Sequence, residues 1–134
     1  MSSIKEIKGV NEENSLKLNE AGVKTVADML AKGAQAKGRH ELAKATGISE
    51  KQILVWVNYS DLCRIKGIGS SYSLLLEEAG VDSVAELSHR KPDNLFAKIL
   101  EVNKDKSLVR QVPTLALVQD WVEQAKHLPK AVFH

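Results

Sequence analysis

Residues 64–71 read Arg-Ile-Lys-Gly-Ile-Gly-Ser-Ser, two glycines around one isoleucine, with two cations among the residues before and two hydroxyls after. This pattern suits one kind of chemistry, the holding of an anion by main-chain amides. Glycine at alternate positions permits a tight turn with left-handed φ at one or both of Gly67 and Gly69. Such a turn exposes successive N–H groups at the start of the next helix, where the helix dipole adds to the attraction for negative charge. Ile68 is expected to point inward and lock the flanking segments together. The hydroxyls of Ser70 and Ser71 can bond a phosphate oxygen, and either serine can cap the helix. Arg64 and Lys66 add positive charge beside the turn, and Arg90 and Lys91 can extend a basic rim. The candidate binding residues are therefore Arg64, Lys66, Gly67, Ile68, Gly69, Ser70 and Ser71. A turn that serves only helix packing needs the same glycines, so both readings stand at this point.

Other chemistries find no support. A dinucleotide fingerprint requires a third glycine where Tyr72 stands, and a preceding strand. His40, His89, His127 and His134 share no ligand spacing with each other or with Cys63, so no metal site is expected. No nucleophile elbow occurs, and the carboxylates are scattered as solubilising charges. The chain is thus expected to be no enzyme, to carry no cofactor and to take no small-molecule substrate. Cys63, set between Leu62 and Ile65, reads as a buried, inert thiol. Trp56 and Trp121 are expected to pack in the core.

The elements that must position the turn come in two copies. A shift of 58 positions places Ile7-Lys8-Gly9 on Ile65-Lys66-Gly67 and Glu20-Ala21-Gly22-Val23 on Glu78-Ala79-Gly80-Val81. Between residues 7 and 29, twelve of twenty-three positions are identical, which an internal duplication explains. Trp56 matches Trp121 at a distance of 65, so the second copy carries about seven extra residues, assigned to the stretch 100–113. Leu16, Leu18, Val23, Val26 and Trp56 are expected to be buried, as are Leu74, Leu76, Val81, Val84 and Trp121. Helix signals recur in both copies. Gly80 and Gly47 serve as stops, Ser49 and Ser83 as caps, Pro92 as a first helical residue, and Pro129 ends the last helix begun after Pro113. An opening helix is expected before each glycine turn. No stretch alternates like a half-buried strand, so the fold class is all-α. The copies divide as residues 1–61 and 62–134 and are expected to pack as one compact unit.

Composition bounds the class. The formal charge is +2, from 19 basic and 17 acidic side chains, so any basic character must be local. Hydrophobic content of 43% suits a globular protein. No apolar run is long enough to cross a bilayer, and the opening "MSSIKEIKGV" has no apolar h-region. A cytoplasmic protein without a membrane partner is expected.

The stretch "IKGIGSSYSLLLEEAGV" resembles the helix-hairpin-helix motif, whose hairpin amides hold a phosphate of a nucleic-acid strand. The whole chain, with "DLCRIKGIG", "EEAGVDSVAEL", "KPDNLFAKILEVN" and "WVEQAKHL", resembles the bacterial family called domain of unknown function 4332. That family is described as related to helix-hairpin-helix DNA-binding domains. The resemblance implies two tandem repeats and a non-enzymatic module that grips backbone phosphate through the second hairpin without reading sequence. Similar hairpins occur in the C-terminal domain of the bacterial RNA polymerase α subunit and in SAM-like domains. The alternative is therefore a protein-interaction module with both hairpins structural. The first copy departs from the motif. Asn11 replaces the second glycine, and Glu12 and Glu13 stand where phosphate would approach.

Overall fold

The computed structural model describes residues 2–133. Among them eight α-helices follow a 3₁₀ turn at Ile4–Glu6. They are α1 (Glu12–Glu20), α2 (Val26–Gly33), α3 (Ala36–Thr46), α4 (Glu50–Leu62), α5 (Ser70–Glu78), α6 (Val84–Ser88), α7 (Pro92–Lys106) and α8 (Leu115–Lys126). Apart from one isolated bridge between Ser3 and Thr25, the described residues contain no strand pairing, and the chain is all-α as expected. No helix among them is long and apolar enough to cross a membrane.

The chain forms two compact units. The first runs up to Asp61 and includes the tail from Ala131, and the second is Leu62–Lys130. In the first, Ile4, Ile7, Leu18, Val23, Met29, Ile53, Trp56 and Val57 form the buried apolar set. The tail joins this unit because Val132 is buried, the Phe133 amide donates to the Ala34 carbonyl (2.8 Å), and Arg39 donates to the Phe133 carbonyl (2.6 Å). In the second unit, α6 and α7 pack on α8 around Leu75, Leu76, Leu87, Leu95, Ile99, Val118 and Trp121.

Positions 58 apart share local geometry. The amides of Ile7 and Val10 bond back three residues to Ile4 and Ile7, and those of Ile65 and Ile68 to Leu62 and Ile65. Gly9 and Gly67 have φ of +94° and +99°. α1 and α5 both end in a Schellman motif, with Val23 donating to the Leu18 carbonyl (2.8 Å) and Val81 to the Leu76 carbonyl (2.9 Å). Thr25 and Ser83 cap α2 and α6 through their hydroxyls. Gly47 at φ +75° closes α3, Ser49 accepts from the Gln52 amide at the start of α4, and Pro92 is the first residue of α7, all as expected.

Four expectations are corrected. The opening helices shrink to successive i→i−3 turns, because only three residues separate each bond from the next and the left-handed glycine follows at once. Leu16 is 57% exposed and Leu74 half-buried, whereas the small Ser15 and Ser73 are buried. The inward stripe of α1 runs through positions 15 and 18, and position 16 lies off it. Cys63 is half-buried, not fully buried. Neither Ser70 nor Ser71 caps α5, because the chain turns one residue earlier and makes Gly69 the N-cap. The stretch 100–113, expected to hold the extra residues, is helical as far as Lys106. α7 has 15 residues against 11 in α3, and Asn103 then braces the loop by accepting from the Val109 amide and donating to its carbonyl.

Candidate functional site

Gly67 and Gly69 are glycines for different reasons. Gly67 sits at φ +99°, and a Cβ there would stand 3.1 Å from Nε1 of Trp121. The left-handed backbone strains any side chain, and the Trp121 ring would have to give by a few tenths of an ångström. Gly69 has φ −113° and ψ −160°, an extended conformation open to any residue, and a Cβ would meet nothing within 4 Å. Its position is the N-cap of α5, where Ser, Thr, Asp or Asn would supply an oxygen to the first turn. Glycine supplies none.

The consequence is a set of open donors. Among the described residues, the amides of Gly67, Gly69, Ser70, Ser71 and Tyr72 have no protein acceptor. Those of Ser70, Ser71 and Tyr72 are the first three of a nine-residue helix, where the dipole is positive. Ser71 is exposed and Ser70 half-buried, so both lie at or near the surface beside these amides. Ile68 is buried and reaches the site only through its backbone, as expected of an inward-pointing residue.

The matching turn in the first unit is closed. Asn11 is the N-cap of α1, and its Oδ1 accepts from the Asn14 amide at 2.8 Å. Glu12 and Glu13 follow directly, paired with Lys5 at 3.5 Å and Lys17 at 3.4 Å. The donor that stays open at Tyr72 is satisfied internally at Asn14, and two carboxylates occupy the first turn.

α8 forms the floor beneath Gly67-Ile68-Gly69. The Lys66 amide donates to Oε1 of Gln124 (2.9 Å), and Nε2 of Gln124 donates to the Lys66 carbonyl (3.1 Å) and to Asp120 Oδ2 (2.8 Å). Trp121 lies under Gly67, its Nε1 buried without an acceptor, as is Nε1 of Trp56 in the first unit. The Tyr72 ring meets Trp121 at 5.3 Å between centroids, and its hydroxyl donates to the Gln111 carbonyl at 3.1 Å.

Of the expected cations, Lys66 is exposed beside the open amides. Arg64 donates to the Pro129 carbonyl at 2.7 Å. Arg90 turns to the end of α5, lying 3.5 Å from the Gly80 carbonyl and 3.7 Å from Glu86, away from the role of rim. Sequence reading missed Tyr72 as an amide donor and Gln124 as the brace of the turn. Gln124 carries no local signal, since its partner lies 58 residues away. Among the described residues no three His, Cys, Asp or Glu side chains gather as a metal-binding group. A cleft of about 380 Å³ in the first unit, bordered by Ala21, Lys32 and Glu41, involves none of the candidate residues.

The chain belongs to the family described as "Domain of unknown function (DUF4332)", whose model matches residues 8–128. No curated protein and no solved structure matches it significantly.

Proposed function

We propose that this chain is a non-enzymatic pair of tandem helix-hairpin-helix repeats, SAM-like in arrangement. The second repeat holds the backbone phosphate of a nucleic acid without reading its sequence. The observation that carries this reading is the uncapped start of α5 at Gly69, set against the Asn11 cap of α1. A residue with open space around it and ordinary φ has no structural need to be glycine. Leaving the N-cap bare keeps the amides of Gly69, Ser70, Ser71 and Tyr72 available to an external acceptor. Phosphate oxygens suit them, because an anion at a helix N-terminus gains from both hydrogen bonds and dipole. Ser70 and Ser71 add hydroxyl donors, and Lys66 adds the charge. Arg64, engaged with Pro129, acts chiefly in holding the turn. Main-chain amides and hydroxyls at a helix N-terminus are the groups that position a backbone phosphate, so the proposed grip is on backbone.

One hairpin neutralises about two or three phosphates, so log K should fall against log salt with a slope of roughly −2 to −3, and Kd should lie on the order of 10⁻⁴ to 10⁻⁶ M. The test reverses the same charge beside each turn. Lys66→Glu should weaken binding to a single-stranded oligonucleotide far more than Lys8→Glu, with both variants folded by circular dichroism. Equal losses would mean diffuse electrostatics. Absence of wild-type binding at low salt would leave the protein-interaction reading, which the near-even charge favours.

A further inference from the structure

We infer that Gln124 is the positioning residue of the phosphate site, an inference that rests on the reading just given. A primary amide that accepts from a peptide N–H and donates to the same residue's C=O makes a two-point clamp, geometrically like one rung of a β-ladder. Gln124 does this to Lys66, at 2.9 and 3.1 Å, and Asp120 holds the same amide group from one turn earlier on α8 at 2.8 Å. The clamp fixes the peptide directly before Gly67, the residue with the widest conformational freedom in the turn. With Trp121 beneath Gly67 and Gln124 on Lys66, one face of α8 sets the path of the chain into α5.

The clamp also sorts the donors. It consumes the Lys66 amide and leaves those of Gly67, Gly69, Ser70, Ser71 and Tyr72 open, so the Lys66 side chain is anchored at its root beside the site while its ammonium stays exposed. Among the described residues, no glutamine or asparagine clamps Lys8 in this way. The position 65 residues earlier is Tyr59, whose hydroxyl reaches the Glu6 carbonyl at 3.4 Å. The two-point amide brace stands beside the uncapped helix.

The test exploits the two-point geometry. Gln124→Leu removes both bonds. Gln124→Glu keeps the acceptor for the Lys66 amide, and as a protonated acid its O–H replaces the lost donor toward the Lys66 carbonyl. As a carboxylate it faces that carbonyl and Asp120 with negative charge only. The other charged groups nearby are Lys66 and Arg64 on the turn, and Glu123 with His127, paired at 3.1 Å on the same helix. The probe is a fluorescein-labelled oligothymidylate at low salt, read by anisotropy, with hydrogen exchange of the Lys66 amide followed in parallel.

Freeing the turn lowers the fraction of molecules in the binding conformation, so Gln124→Leu should lose Lys66 protection and bind about tenfold more weakly. Gln124→Glu should bind as wild type does near pH 4 and about tenfold more weakly at pH 7, each compared with wild type at the same pH. Repulsion by the new carboxylate alone would also weaken binding at pH 7 but would leave the Lys66 amide protected, so the positioning role requires affinity and Lys66 protection to fall together relative to wild type at the same pH. If wild type binds and Gln124→Leu loses Lys66 protection yet keeps its affinity, the positioning role is refuted. Retained protection in Gln124→Leu would refute the clamp itself. Failure of wild type to bind refutes the phosphate reading instead, and the exchange data still decide the clamp. Should the leucine variant unfold, the glutamate variant decides the matter, since affinity lost at pH 7 with Lys66 protection retained would refute the positioning role.

Discussion

Replacing Gly69 by Asn should make the protein more stable and a poorer ligand for phosphate at the same time. The N-cap already has the extended backbone of a capped helix, close to that of Asn11 at φ −85° and ψ 178°. The new side chain enters open space and can accept from the Tyr72 amide, as Asn11 does from Asn14 at 2.8 Å. The cap contributes a few tenths of a kcal/mol over glycine, and the loss of glycine's freedom in the unfolded chain adds about 0.4–1 kcal/mol. The total is roughly 0.6–1.4 kcal/mol, or about 2–6 °C in Tm. In the proposed site the same oxygen would take the place of a phosphate oxygen. One hydrogen bond to a charged group is worth about 1.5–3 kcal/mol, so Kd should rise at least about tenfold. Gly69→Asp should act in the same direction with charge repulsion added. Thermal unfolding and fluorescence anisotropy, measured on one preparation, give both numbers. A variant that gains stability and keeps its affinity would refute the assignment of the open amides to the ligand.

Two further outcomes follow from the same geometry. Gly67→Ala forces a Cβ to φ +99° and 3.1 Å from Trp121 Nε1, and should cost about 1–3 kcal/mol, whereas Gly69→Ala should change Tm little; denaturant titration compares them. Burial pushes the Glu77 carboxyl up, and the charges of Glu78 and Asp82 push it further. The native state then holds that proton more tightly than the unfolded chain, so this contribution to stability declines as pH rises through the raised value. Glu77→Gln should therefore exceed wild type in Tm at pH 7, with the gap closing near pH 4, where both side chains approach neutrality.

The sequence made some of these features readable and hid others, for physical reasons that differ by residue. Gly67 was legible because a left-handed turn beside a buried isoleucine leaves a local mark, and Gly80, Gly47, Ser49, Ser83 and Pro92 were legible as helix ends for the same reason. Gly69 was half legible. Its presence was noted, but glycine is both the residue for strained turns and a residue without a cap. Only the φ of −113° separates the two uses. Ser70 and Ser71 were misplaced by one residue, because the N-cap is set by where the backbone turns and serine suits either position. Leu16 shows that identity between positions 58 apart does not set a helical face, since the inward stripe is fixed by Ser15 and Leu18. Gln124 could not be read at all. Its partner is distant in sequence, and the hydrogen bonds go to main chain, which leaves no trace in residue type.

The most direct test of the central claim is an amide chemical-shift titration of the ¹⁵N-labelled protein with oligothymidylate at low salt. The account predicts shifts concentrated at Gly67, Gly69, Ser70, Ser71 and Tyr72, with Asn11, Glu12, Glu13 and Asn14 unmoved. Shifts spread evenly over both turns, or centred away from the start of α5, would contradict it.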